Sequence, residues 1–313
     1  MKRDNKLVGA DERNFRSSYY EKVGFRSVEE KRSLEIILKE KPLDRLRLRH
    51  FALRFSVPAS LKNLVWKLLF GVVPVHLDSY DFVMQQRKQQ YEDLKHGLGI
   101  LGITFDESTK PNFFVVLWLL DSGKLKLDWR CQMEEERYKS LTHISNSVMN
   151  MFESDVDIYW LSRGIFQYVD KFRGDISKLV QFTKSILEKE DNELYSFLLH
   201  IDAFTVLPIN NWMQSCFANV ITESSVGKIW DKLAAGSCKI LVFVAVVLLM
   251  TLRRRILKCN TVAEVLECVN RISDEVADVI VSKAIEMWQQ NGSSLASTNG
   301  LEFTKSPAST VWL

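Results

Sequence analysis

An unbroken apolar run at residues 240–250 constrains the fold of this chain more than any other part of its sequence. Thr251 and Leu252 extend it, and as a helix these positions reach about 20 Å, short of the roughly 30 Å hydrocarbon core of a membrane. Lys239 and the arginines at 253–255 close its two ends. We therefore predict a helix that is covered by protein on all sides and lies at the centre of a large core. A membrane anchor is the alternative.

The composition favours one large domain, or two small ones, built from long helices. The chain has 313 residues, of which 46% are hydrophobic and 26% are charged, as in an ordinary globular protein. Only 13 glycines and 6 prolines interrupt it, too few for a many-turned β-fold. The net charge of +3 is too small to predict nucleic-acid binding, so we expect no nucleic-acid partner.

The five cysteines indicate a reducing compartment rather than a disulfide framework. They form no Cys-x-x-Cys pair, and no histidine stands at metal-ligand spacing from any of them. Residues 1–6 lack the apolar stretch of a secretory signal. We expect a cytoplasmic protein that uses neither a metal nor another cofactor.

Apolar periodicity predicts a series of helices. The clearest opens after Pro58, places its leucines on one face and ends at Gly71. Residues 45–49 alternate like a strand, although five residues decide little. The other predicted helical segments are 26–39, 83–95, 141–152, 159–172, 176–187, 194–201, 212–220 and 276–288.

We predict a domain at residues 16–290, with the sequence motifs concentrated at 42–250. Residues 1–15 are polar and are predicted to be a flexible N-terminus. Residues 291–313 are rich in Ser, Thr, Asn and Gly, a composition that cannot bury enough apolar surface to fold, so we predict a disordered tail.

Two glycine motifs resemble nucleotide-binding loops but lack the required context. Residues 97–102 match the dinucleotide fingerprint, yet a charged helical stretch precedes them instead of a buried strand. Ser122-Gly123-Lys124 lacks the first glycine of a phosphate loop, because Trp118 stands at that position. We interpret the first motif as a connection that ends a helix and exclude a phosphate loop at the second. The residue patterns alone name no catalytic site.

A set of four motifs resembles the TBC domain, the helical domain of proteins that activate GTP hydrolysis by Rab GTPases. They are the opening motif at 56–71, the acidic-aromatic motif at 153–160, a Trp-Phe motif at 212–217 and an Arg-Ile-Trp-Asp motif at 228–236. The resemblance implies an all-α, TBC-type Rab GAP fold with two helical subdomains packed in one large domain. Its fold-motif positions are Lys62, Trp66, Gly71, Asp157, Trp160, Trp212, Trp230, Asp231 and Gly236.

The residues that active TBC domains insert into the GTPase are altered in this chain. The best placement of the motif Ile-x-x-Asp-x-x-Arg is residues 118–124, which puts Lys124 at the position of the arginine finger. Lysine lacks the planar fork of arginine, and an arginine finger contributes about 10³–10⁵ in rate. No Gly-Tyr-x-Gln-Gly segment exists, and Gln132 follows Lys124 too closely to be the usual glutamine finger. The resemblance therefore implies a degenerate domain without catalytic residues.

Further segments narrow the resemblance to one branch of the family, a subunit of the tuberous sclerosis complex. They lie at 14–17, 19–26, 223–225, 236–246, 277–278 and 284–285. This branch implies a non-catalytic protein that binds a coiled-coil helix of hamartin and reaches tuberin through the complex. It would support negative regulation of TOR signalling, in which tuberin stimulates GTP hydrolysis on Rheb. It also implies recruitment from the cytoplasm to lysosomal or vesicle membranes.

Two alternatives stay open at this point. An active GAP for a Rab GTPase would use Lys124 and Gln132 as unusual fingers, and a membrane protein would use residues 240–250 as its anchor. The sequence does not reveal the partner-binding surface. We expect Trp66 and Trp230 in the core.

Overall fold

The computed structural model describes residues 26–291, which form helices and turns without a β-strand. The predicted N-terminal segment 1–15, the tail beyond residue 291 and the similar segments at 14–17 and 19–25 lie outside the described residues. The helices are α1 (Arg26–Lys39), α2 (Arg45–Arg54), α3 (Ala59–Phe70), α4 (Tyr80–Ile100), α5 (Lys110–Asp121), α6 (Trp129–Met133), α7 (Glu136–Met151), α8 (Asp155–Phe172), α9 (Ile176–Glu190), α10 (Asn192–His200), α11 (Ile209–Gln214), α12 (Glu223–Ala234), α13 (Ile240–Thr251), α14 (Arg253–Ile256), α15 (Val262–Asn270) and α16 (Asp274–Asn291). The all-α prediction is confirmed.

Helix α13 is the buried apolar run. No residue from 240 to 249 has more than 4% of its surface exposed. Helices α9, α11, α12 and α16 pack against α13, so protein covers it along its length. The prediction of a central core helix is confirmed. Among residues 26–291, no helix combines the length and the apolar character needed to span a membrane.

The helices form two groups that α12 connects. Helices α3, α4, α5, α7 and α8 pack on one another in the first group, while α9, α10, α11, α13 and α16 form the second. Helix α12 contacts α2, α3, α7 and α8, which precede it in the chain, and α13 and α16, which follow it. A residue on α12 can therefore bind elements that are far apart in sequence.

Local signals explain where several helices begin and end. Pro58 precedes α3, and Gly71 ends it with φ +73°, a conformation that favours glycine. Asp44 caps α2 by accepting hydrogen bonds from the N–H groups of Leu46 and Arg47. Ser154 caps α8 in the same way, because its side-chain oxygen accepts a hydrogen bond from the backbone N–H of Asp157.

Two local patterns in the sequence differ from the structure. Residues 45–49 are helical rather than extended, because Asp44 caps the helix and α2 buries Leu48 and Phe51. The helix predicted at 212–220 ends at Gln214, since the following turn contains residues with positive φ. The arginines at 253–255 follow the end of α13, as expected for residues that close the apolar run. They make the separate turn α14, and Arg253 binds Asp191 at 2.8 Å.

Candidate functional site

Asp231 on α12 is a buried carboxylate that holds the start of α3. Its oxygens accept hydrogen bonds from the backbone N–H of Val57 at 2.8 Å, from Trp66 Nε1 at 2.8 Å and from Lys62 Nζ at 2.7 Å. Lys62 also donates to the carbonyl of Gly227 at 3.0 Å. Burial raises the pKa of Asp231, whereas the ammonium and the other donors oppose that shift. The opening motif and the Arg-Ile-Trp-Asp motif thus meet in one cluster, the α3–α12 clamp, formed by Val57, Lys62, Trp66 and Asp231.

Lys232, the next residue on α12, is also fully buried. Its Nζ donates to the carbonyls of Ala52 at 2.7 Å and Phe55 at 2.6 Å. These carbonyls lie at the C-terminal end of α2, where unpaired acceptors and the helix dipole favour a cation. Burial lowers the pKa of Lys232 to about 8. Sequence reasoning missed Lys232, although it and Asp231 alone interrupt an otherwise apolar stretch at 229–235.

Asp157 makes a second junction, between α8 and α3. Lys67, which is 2% exposed, places its Nζ 2.7 Å from Asp157 Oδ1, and Asn63 Nδ2 donates to Asp157 Oδ2 at 2.8 Å. Lys67 also lies 3.3 Å from the hydroxyl of Tyr80 at the start of α4. The acidic-aromatic motif therefore positions helices in this structure.

Trp160 lies between two arginines. Its Nε1 donates to the carbonyl of Arg87 at 3.1 Å, and the guanidinium carbons of Arg87 and Arg163 lie 4.5 and 5.0 Å from the ring centroid. Arg163 Nε donates to Asp121 at 2.7 Å. These residues line a cavity of about 380 Å³ between α4, α5 and α8. Arg163 carried no sequence signal, because its partner Asp121 is 42 positions away.

The tryptophans among the remaining fold-motif residues lie in the core. Trp66 and Trp230 are fully buried with ring centroids 6.1 Å apart, which confirms their predicted burial. Trp230 Nε1 donates to the carbonyl of Cys216 at 3.0 Å. Trp212 packs on the ring of Phe217 at 5.8 Å. Gly236, two residues after the end of α12, has φ +95°, a conformation that favours glycine.

Lys124, at the expected finger position, lies in the turn after α5. Its Nζ is 3.2 Å from Asp170 Oδ2 and 5.1 Å from the ring centroid of Trp118. Asp170 also lies 2.8 Å from Arg137 and 3.8 Å from Arg173, so three cations share this carboxylate. The side chain of Lys124 is 48% exposed. An exposed ion pair contributes only about 0–1 kcal/mol, so Lys124 can leave Asp170 at small cost.

Gln132 is buried and positions the loop that contains Lys124. Its Nε2 donates to the carbonyl of Lys124 at 3.0 Å and to the hydroxyl of Tyr138 at 3.2 Å. Its Oε1 accepts from the backbone N–H of Lys126 at 2.9 Å. Only 2% of Gln132 is exposed, and both of its N–H groups are engaged. The Gln132 amide can contact a GTPase only if this loop changes its conformation and these hydrogen bonds break.

The structure brings no nucleotide loop or metal cluster together within the described range. Gly97 and Gly99 lie inside the last turns of α4, and Gly102 follows with φ +69°. The strand that a dinucleotide loop requires is therefore missing before this motif. Residues 26–291 also contain no group of His, Cys, Asp and Glu side chains that could hold a metal ion.

The comparisons with known proteins point to one family. The model of the Rab-GTPase-TBC domain matches residues 131–257, a range that begins after Lys124 and includes Asp157, Trp230 and Asp231. Proteins called TBC1 domain family member 7 from Xenopus tropicalis and Bos taurus are each 40% identical to this chain over 281 residues. The Homo sapiens protein of that name is 38% identical over the same length. Each alignment covers 90% of this chain and 96% of the relative.

Two solved structures share the fold. The Ypt/Rab-GAP domain of Gyp1p superposes with a TM-score of 0.59 at 15% identity, covering 84% of this chain and 98% of that domain. The Chlamydomonas flagellar RabGAP TBC domain gives a TM-score of 0.51 at 17% identity, covering 82% and 95%. At these identities the similarity concerns the helical architecture alone.

Proposed function

This chain belongs to the Rab-GTPase-TBC domain family, with TBC1 domain family member 7 proteins among its relatives, and from that membership we propose that it is a non-catalytic TBC-domain subunit. It acts by binding a helical partner rather than by inserting catalytic residues into a GTPase. The observation that carries this proposal is the state of the two candidate fingers. Lys124 stands where an arginine is expected, and Gln132 is buried under the same loop.

The chemistry of the two residues supports this proposal. A transferring phosphoryl group develops charge on several oxygens, and the planar guanidinium of arginine binds two of them at once. The Lys124 ammonium is a point charge without that fork. Gln132 would have to break hydrogen bonds to Lys124, Lys126 and Tyr138 before its amide could orient an attacking water.

A GTP hydrolysis assay with a panel of Rab GTPases tests the loss of catalysis. The wild-type protein and Lys124→Ala should both leave the intrinsic hydrolysis rate unchanged, with the Gyp1p domain as the active control. If the wild type accelerates one Rab and Lys124→Ala abolishes that effect, the chain is an active Rab GAP and the proposal is wrong.

The proposed partner is the coiled-coil helix of hamartin, with tuberin reached through the complex. In this assembly the chain would support tuberin-stimulated GTP hydrolysis on Rheb and so the negative regulation of TOR signalling. The complex would also recruit the protein from the cytoplasm to lysosomal or vesicle membranes. Capture of purified protein by an immobilised hamartin coiled coil tests this step, and absence of a stable complex would rule the partner out.

Helix α4 is the surface that we propose for this partner. It spans 21 residues, or about 31 Å, and only Tyr91 and Leu98 on it are buried. Phe82 and Ile100, near its two ends, are 66% and 74% exposed. A long exposed helix with apolar residues at both ends matches the shape of a partner helix lying beside it.

Two charged substitutions at exposed apolar positions test this surface. Phe82→Asp should weaken capture of the coiled coil by about tenfold or more, as expected for an interface residue whose loss costs about 2 kcal/mol. Leu127→Asp, at a fully exposed residue in the loop between α5 and α6, is the matched control and should bind normally. Equal affinity of both variants would place the binding surface elsewhere without affecting the choice of partner.

A further inference from the structure

Two of the cysteines come together at the edge of the second helical group. Cys259 follows α14, and Cys268 lies on α15. Their sulfur atoms are 3.7 Å apart, and neither is part of a disulfide. A disulfide bond is about 2.05 Å long, so the sulfurs must approach by less than 2 Å. Cys259 precedes the helix cap Thr261 in a connecting turn, where a shift of this size does not break a helix.

The two thiols differ in a way that suits stepwise oxidation. Cys259 is 9% exposed, and its thiol donates to the carbonyl of Arg255 at 3.3 Å. Cys268 is only partly buried, so a small oxidant can reach it from solvent. Because Cys268 is the more accessible of the two, we expect it to react with the oxidant first, whereas burial and the neighbouring Cys268 raise the pKa of Cys259 to about 11.

Two charged side chains near the pair act on Cys259 in opposite directions, and one of them also links neighbouring elements. Arg255 lowers the pKa of Cys259 and Glu264 raises it, so the two opposite charges partly offset each other. The same Arg255 donates through Nη1 to the carbonyl of Arg271 at 3.3 Å, just beyond the end of α15. Helix α14 packs on α15, which keeps the two sulfurs adjacent.

We propose that Cys259 and Cys268 form a reversible intramolecular disulfide, with hydrogen peroxide as the oxidant and a low-molecular-weight thiol as the reductant. The Cys268 thiolate attacks one peroxide oxygen, which gives a sulfenic acid and, after protonation, one water. The Cys259 sulfur then displaces the sulfenic oxygen, which leaves as a second water while the S–S bond forms. Overall, two thiols and one peroxide become one disulfide and two waters.

Reduction returns both cysteines to thiols. A glutathione thiolate attacks the disulfide, and a second glutathione completes the exchange with release of glutathione disulfide. In a reducing compartment such a bond is transient, as expected of a redox-sensitive pair rather than a structural bridge. The proposal does not depend on the partner or on the loss of catalysis.

Trypsin makes the test direct, because Lys258 and Arg271 bound one peptide, 259–271, that contains both cysteines. Reduced full-length protein is treated with hydrogen peroxide, its remaining thiols are blocked with N-ethylmaleimide, and the digest is analysed without reductant. The majority of peptide 259–271 should carry no maleimide and be two hydrogens lighter than the reduced peptide. Glutathione added before blocking should restore the doubly alkylated form.

Two variants complete the experiment. Cys131→Ser removes an exposed cysteine and should leave the cross-link unchanged. Cys268→Ser should abolish it and leave Cys259 open to maleimide. The proposal is overturned if peroxide leaves both thiols of the wild type open to maleimide, if Cys268 becomes sulfinic acid without a cross-link, or if the disulfide joins two chains.

Discussion

Removal of the Asp231 carboxylate should destabilise the whole fold, because the α3–α12 clamp depends on it. Asp231→Ala leaves the Lys62 ammonium, which is 14% exposed, without its carboxylate. It also leaves the N–H of Val57 and Nε1 of Trp66 without an acceptor. Loss of one partner of a buried ion pair costs about 3–5 kcal/mol, and each unpaired buried N–H costs about 1–3 kcal/mol.

These costs do not simply add, because water can enter the space and Lys62 can still bind the carbonyl of Gly227. We expect a loss of about 4–6 kcal/mol, a large share of the roughly 5–15 kcal/mol that stabilises a typical protein. Urea denaturation followed by circular dichroism measures it. Glu267→Ala, which removes an exposed pair with Arg271, is the control and should lose less than about 1 kcal/mol.

A double-mutant cycle separates the ion pair from the other contacts of Asp231. Asp231→Ala combined with Lys62→Met should lose less stability than the sum of the single losses, by about 1–3 kcal/mol. An Asp231→Ala loss below about 2 kcal/mol, or strictly additive losses, would refute the reasoning that this carboxylate holds α3 to α12.

The pH dependence of Lys62→Met tests the same pair. Burial raises the pKa of Asp231, and this variant removes the ammonium that opposes the shift. In the folded variant Asp231 therefore keeps its proton at pH values above about 4. In the unfolded chain the same carboxyl has its ordinary pKa of about 4 and is ionised there. Because the folded state binds more protons, the free energy of unfolding of the variant should fall as pH rises from about 4 towards neutrality, relative to wild type. A difference that is flat across this range would contradict the proposed role of Lys62.

Two further predictions concern core packing. Trp66→Ala and Trp230→Ala should each lower the free energy of unfolding by about 3–5 kcal/mol, since both side chains are fully buried. Near-wild-type urea midpoints for both would mean that the helices are misplaced. Gly164→Ala should cost about 1–3 kcal/mol, because an added Cβ would lie 2.6 Å from Cγ of Phe70, whereas Gly174→Ala meets no atom within 4 Å and is the control. Equal urea midpoints for these two variants would show that Phe70 moves aside freely.

The helical character of the chain could be predicted from sequence because apolar periodicity and helix-ending residues are local properties. The helix after Pro58 and the buried run at 240–250 were predicted in this way. The helix at residues 45–49 was not predicted in this way. A five-residue alternation is a weaker signal than the cap from Asp44 and the contacts that α2 makes with α12.

The sequence by itself determined that this chain forms a helical core around residues 240–249, and it predicts that Lys124 stands where active TBC domains place arginine. Only the tertiary structure decided what binds the motif residues. Lys62 meets Asp231 across 169 positions, and Cys259 faces Cys268 because α14 packs on α15. Local patterns depend on neighbours along the chain, whereas these contacts depend on how helices distant in sequence pack together.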